Sequence, residues 1–434
     1  MTMRLGTAKV EITPSFAVPL AGYSNRKGVY ESVFKPLYVR AWLFEQTDTA
    51  GGEPRTALLI QADLIWWGSE QVDTLKGRIH SQWHIKPERV FFQASHTHGG
   101  PQTTDHFSPL LGLMDAKYID FLEHAVEQAI AEAHANREAV FMEKGVGNCE
   151  GLGVNRRKIE NGKADFAPNP EGTNDHSVTV IRCVTETGRM KGFLFQFTCH
   201  PTTTGINRIS SHYCGAAMEL LDRRWGSGSS CFLQGCCGDI RPDLQRDGRF
   251  YNGAEEDIER LGAVLAEAVE TILNKPMLRL ESAPIEGWVQ SADLLFQDIS
   301  LSELTAEDEV EAEAVEAWHR LLATKSSNPN GIELKAKLLR LAEGFALMGF
   351  NGEIVLDYGL WIKSKCPDIL PLGYSNGMIG YVPTARQIAE GGYESISSGY
   401  YFGYPAPFAT DVEARMKEVI ELLMEKLNEG TRIR

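Results

Sequence analysis

Apolar and polar positions along the chain sort into short strands and longer helices. Gly6 to Pro14 alternates between the two and stops at proline, the pattern of an edge strand. Val39 to Phe44 and Thr56 to Asp63 read as two further strands. From Ser69 to Trp83 the apolar residues Val72, Leu75 and Ile79 recur at helical spacing, with Ser69 placed as the cap. Val90 to Ala94 is strand again. This strand–helix–strand order predicts a parallel pair. Asp115 to Asn136 is amphipathic throughout and predicts a long helix.

Asn155 to Arg157 falls in a loop region rich in glycine and asparagine, and Lys158 to Asp175 is polar and expected on the surface. Val178 to Ile181, Gly192 to Phe197 and Cys231 to Gln234 predict strands, with a helix from about Tyr213 to Trp225. Glu255 to Leu273 is a helix that starts acidic, as the macrodipole favours. Met277 to Asp298 reads as strand. Thr305 to Lys325 and Gly331 to Phe345 read as two helices, the first with an acidic, solvated face. Glu353 to Leu356 begins a strand, Ser375 to Thr384 is a glycine-punctuated loop, and Asp411 to Leu427 is a closing helix. The 434 residues would allow roughly three domains. Their motifs, however, have to meet in space. The expected fold is therefore α/β, with mixed β-sheets and flanking helices in a single compact catalytic domain spanning residues 1–434.

Hydrophobic residues make up 43% of the chain, enough for a large core. The net charge of -15 argues against a nucleic-acid surface. No run is apolar and long enough for a membrane span, and the N-terminal residues lack the apolar core of a secretion signal. None of the eight cysteines forms a Cys-x-x-Cys pair. These features predict a cytoplasmic protein that acts on a small molecule, with no membrane anchor and no nucleic-acid partner. They leave the oligomeric state open.

The chemistry concentrates where strands end. His96 and His98 follow the apolar run Arg89 to Phe92, and the glycines and proline after them force a turn. Spacing of two puts both imidazoles on one side of a strand end, where α/β sheets bind ligands. A metal site or an acid/base pair is one reading; a turn cap beside an exposed histidine is the other. His200, before Pro201, repeats the pattern at the end of a second strand and strengthens the metal reading. No Gly-x-Ser-x-Gly elbow is present, and nothing marks Cys236 or Cys237 as an activated nucleophile.

Together these residues resemble the neutral/alkaline ceramidase family. The resemblance runs through Gly6 to Pro14 with its Ile-Thr-Pro ending, Ser95 to Pro101, Asn155-Arg156 and Cys199 to Thr202. It continues through Gly235 to Pro242, Gly352-Glu353, Gly380 to Thr384 and Gly392 to Glu394. It implies one zinc ion held by His96, His200, Glu353 and Tyr381, with His98 as general acid/base and Arg156 and Tyr393 near the reacting carbonyl. Two imidazoles and a carboxylate suit zinc, and a dication promotes loss of the tyrosine proton.

The chain departs from the family where ceramidases carry a serine in Gly-Asp-x-Ser-Pro. Gly238 to Pro242 here places Arg241 at that position. The segment Ser210 to Gly215 is altered as well. No C-terminal immunoglobulin-like domain or secretion signal is recognised. These departures point away from ceramide, toward zinc-dependent hydrolysis of an amide, ester or lactone in a small polar substrate, with Arg241 in substrate binding. A metal-dependent lyase or isomerase acting on a sugar-like metabolite, and a zinc-binding protein without turnover, are the alternatives.

Overall fold

The computed structural model describes residues 1–47, 53–304, 312–324 and 329–429. Its main sheet runs, from one edge to the other, Ser230–Gln234, Met190–Phe197, Ser177–Thr185, Glu138–Asn148, Thr2–Glu11, Tyr38–Thr47, Arg55–Ala62 and Val90–Ala94. The short strand Leu278–Arg279 adds to Glu138–Asn148. The interior pairings are antiparallel. The outermost pair at each edge is parallel, because a crossover helix returns the chain to the starting end of the sheet. Ser69–Trp83 is that helix at one edge and His212–Trp225 at the other. The sheet is thus mixed, and it ends in two strand–helix–strand units.

Alternation in the strand Tyr38–Thr47 shows how the two cores form. Val39, Ala41 and Leu43 pack with the helices on one face, while Trp42 and Phe44 pack on the other. That other face is covered by a second sheet of Glu286–Leu295, Gly331–Ala342, Phe345–Phe350 and Ile369–Leu372. Leu339, Leu341, Leu347 and Leu372 supply its contact. No helix among the described residues is long and apolar enough to cross a membrane.

Several local expectations change. Gly331–Ala342 is a strand, not a helix. Ile332, Leu334, Ala336 and Leu338 alternate with Glu333, Lys335 and Lys337, and this period of two fits a sheet between two partners. Thr2–Glu11 lies in the middle of the main sheet rather than at its edge. Asn155 to Arg157 belongs to the strand Gly153–Glu160, which pairs with Lys163–Asn169. Gly68, not Ser69, stands at the cap of Ser69–Trp83, and the Ser69 hydroxyl instead accepts from Met378 N at 3.2 Å. Glu353–Ile354 is a two-residue strand that leads straight into the helix Leu356–Lys365. Of the helix expected from Thr305 to Lys325, Ala312–Thr324 is helical, and the rest lies outside the described residues.

Candidate metal centre

The two edges of the main sheet are drawn together by glutamine side chains. Gln234 donates from Nε2 to Ser95 O at 3.1 Å and to Cys199 O at 2.9 Å. Gln93 donates to Gln234 O at 3.4 Å and also to Gly373 O at 3.0 Å. The ends of Val90–Ala94 and Met190–Phe197 therefore open onto one cup, and each delivers a histidine to it.

His96 and His98 lie past the end of their strand, so strand alternation does not aim them. His96 sits instead at φ 65°, in the left-handed region. Such a conformation costs about 1–3 kcal/mol and persists only where the surroundings impose it. It turns the ring back so that the Nε2 atoms of His96 and His98 lie 3.3 Å apart. Gly22, at φ 99°, lets the backbone pass close to His98, since a Cβ there would fall 2.3 Å from His98 Nδ1.

Hydrogen bonding fixes the tautomers. His96 Nδ1 lies 2.8 Å from Ile65 O, and His200 Nδ1 lies 2.6 Å from Cys237 O and 3.0 Å from Ile240 O. A carbonyl oxygen only accepts, so each Nδ1 carries the hydrogen. Burial, followed by Arg156, pushes His200 down to about 4 and keeps its ring neutral at pH 7. Both Nε2 atoms then present lone pairs to the cup.

Those lone pairs face a carboxylate and a phenol. Glu353 Oε2 lies 3.2 Å from His200 Nε2 and 3.4 Å from His96 Nε2. Tyr381 Oη lies 3.2 Å from His200 Nε2. Two bare imidazole nitrogens facing a carboxylate oxygen are stabilised by a cation between them, so the residues present fit a metal ion. His96, His98 and His200 likewise bring one ring nitrogen each within 4.8 Å of one another, all buried, and could hold a metal ion as a group.

The structure brings the remaining predicted residues to the same cup. Arg156 donates from Nη2 to Tyr381 Oη at 3.0 Å and from Nε to Glu394 at 2.7 Å. Burial works against its charge, and Tyr381 and Glu394 more than restore it. The Tyr393 ring lies edge-on to Tyr381, with centroids 5.4 Å apart. His98, Arg156, His200, Arg241, Tyr381 and Tyr393 all line one cavity of about 500 Å³. Burial, followed by His96 and His200, holds His98 well below its ordinary value, and its Nδ1 is buried without a partner.

Other residues of the cup were not legible in the sequence. Tyr374 stacks on His96 at 3.8 Å between centroids, and its hydroxyl reaches Glu353 at 3.5 Å and Cys237 Sγ at 3.2 Å. The glycines at 373 and 377 around it were the available signal. Glu394 accepts from both Arg156 and Arg157, a pairing across more than two hundred residues that no local pattern announces. Asp239 accepts from Leu356 N at 2.8 Å and Gln387 Nε2 at 2.9 Å, and burial pushes its carboxyl up to about 6. Cys236 and Cys237 are buried, and burial pushes both thiols up, which fits packing rather than nucleophilic roles.

No protein-family model matches the chain, and no curated protein matches it in sequence. Solved structures do match in fold. The neutral ceramidase of Pseudomonas aeruginosa superposes with a TM-score of 0.75 over 97% of this chain and 73% of its own, at 17% identity. A ceramidase complexed with C2 superposes with a TM-score of 0.77 over 98% of this chain and 76% of its own, also at 17% identity. Over nearly its whole described length, the chain has the fold of the neutral ceramidases.

Proposed function

We propose that the protein is a zinc-dependent hydrolase cleaving an amide, or a related ester or lactone, of a small polar substrate. The observation that carries this reading is the convergence of two imidazole nitrogens, a carboxylate and a phenol, of which His200 and Tyr381 also line the cavity. The shared fold with neutral ceramidases supports a hydrolase. His96, His200, Glu353 and Tyr381 would hold the metal, which supplies Lewis acidity and lowers the pKa of a water.

The chain's own groups supply the rest. His98 has one nitrogen at the cup and the other unpartnered, so it can carry a proton to the leaving group. Arg156 orients Tyr381 and, with Tyr393, offers donors toward a developing oxyanion. Arg241 contributes to substrate binding from the cavity wall. The eight cysteines are all free, in keeping with a reducing, cytoplasmic setting.

The test is incubation of zinc-loaded protein with a panel of small polar amides, esters and lactones in isotopically labelled water. Hydrolysis places solvent oxygen in the product. Product formation without the label would assign a lyase or isomerase instead. Efficient cleavage of a long-chain ceramide would overturn the small polar substrate.

A further inference from the structure

The cavity above the cup does not end at Arg241. A second chamber of about 730 Å³ opens beyond it, and the two share Phe166, Arg241 and Asn252. Arg241 lies on the strand Ile240–Pro242, opposite Val154, so it is anchored to the same small sheet as Arg156. Its guanidinium lies 4.3 Å from the Phe250 ring centroid and 5.6 Å from that of Phe166. Both rings favour the cation and limit its movement.

Among the described residues no carboxylate forms an ion pair with this cation. Asp239 is engaged by Leu356 N and Gln387, and Asp243 accepts from Gln245 at 2.7 Å. Asp165 and Asp247 line the outer chamber, but neither forms an ion pair with Arg241 among the described residues. Lys158, on the same wall, already pairs with Glu160 at 2.6 Å. Arg241 Nε is buried and has no hydrogen-bond partner. A largely enclosed guanidinium without a counter-ion is costly unless an anion meets it. Its planar fork matches a carboxylate or phosphate in two parallel hydrogen bonds.

We infer that Arg241 receives an anionic oxygen group, a carboxylate or phosphate ester, carried by the substrate away from the bond that is cleaved. The chamber beyond then holds the remainder of a polar, extended molecule. As a substrate class this rests on the hydrolase reading above. As a binding site it stands on the unpaired cation and the joined cavities.

Calorimetric titration of the zinc-loaded protein with glutarate, inorganic phosphate and neutral glutaramide tests it. The unmodified protein should bind at least one anion in preference to glutaramide, and which one it prefers separates carboxylate from phosphate. Arg241→Gln should bind that anion roughly 10–100-fold more weakly, the range for a hydrogen bond to a charged group. Any affinity of the metal for anions remains in this variant and cancels from the comparison. Arg241→Lys keeps the charge without the fork and should fall between the two. Arg223→Gln removes a surface arginine and should change nothing. Equal anion binding by Arg241→Gln and the unmodified protein, or no preference for anions over glutaramide, would overturn the inference. Anion binding without hydrolysis of any substrate would overturn the hydrolase reading and leave the anion site standing; hydrolysis with indifferent binding would do the reverse.

Discussion

Arg156 and Arg241 stand on paired strands of one small sheet, yet their surroundings differ. Arg156 is enclosed by Glu394 and Tyr381, and Glu394 in turn holds Arg157. Every charge on that side faces an opposite charge or a hydrogen-bond partner. Arg241 faces two phenylalanine rings and open cavity. A closed network rigidifies a site, because removing any member leaves a buried charge exposed to low dielectric. An open cation is available to something that arrives. The closed network suits a site that holds its geometry, and the open cation one that receives a ligand.

The largest effect should come from the cup itself. His200→Ala removes a ring that both Glu353 and Tyr381 face, and it should abolish stoichiometric zinc binding and with it turnover. Elemental analysis of the two purified proteins decides this, and equal zinc in both would contradict the assignment. His98→Ala should retain zinc and lose roughly 10²–10⁴-fold in rate, the usual contribution of a general acid/base. Loss of zinc from that variant would instead make His98 a ligand, as the three-histidine grouping allows.

Glu394→Gln tests the closed network. It strands Arg156 and Arg157 without their shared anion and should cost about 3–5 kcal/mol in chemical denaturation. The effect should depend on pH. Burial opposes the Glu394 charge, but Arg156 and Arg157 prevail and lower its pKa in the fold below the ordinary 4.5. A lowered carboxylate stabilises above its unfolded pKa, and that contribution fades as pH falls through the folded value. The gap between the unmodified protein and Glu394→Gln should be full at neutral pH and narrow below about 4.5. A gap that is constant with pH would assign the loss to packing. The smallest effect should be that of Arg241→Gln on folding, within about 0.5 kcal/mol, because no ion pair is broken. A loss comparable to that of Glu394→Gln would erase the distinction between the two regions.

Where periodicity ran long and clean, local pattern and structure agree. Val90–Ala94 and Glu255–Leu273 have the bounds expected, and Ala116–Ala135 sits just inside its expected range. The parallel pairing of Arg55–Ala62 with Val90–Ala94 follows from its crossover helix. Gly331–Ala342 misled because a dense apolar run satisfies helical and strand spacing at once, and only its neighbours on both sides select the sheet. Thr2–Glu11 looked like an edge because alternation says nothing of how many partners a strand has.

The sequence by itself determined the candidates for chemistry: histidines after apolar strands by residue type and local order, and Glu353, Tyr381 and Arg241 through the resemblance to the neutral ceramidases. Tertiary structure alone decided that two strand ends from opposite edges of one sheet meet, joined through Gln93 and Gln234. It alone decided that both Nδ1 hydrogens point to backbone carbonyls, leaving both Nε2 lone pairs inward. It alone decided that Glu394 closes on Arg156 while Arg241 remains open. The physical reason is that burial, tautomer and ion pairing depend on what lies across space, and the partners here are separated by tens to hundreds of residues of chain.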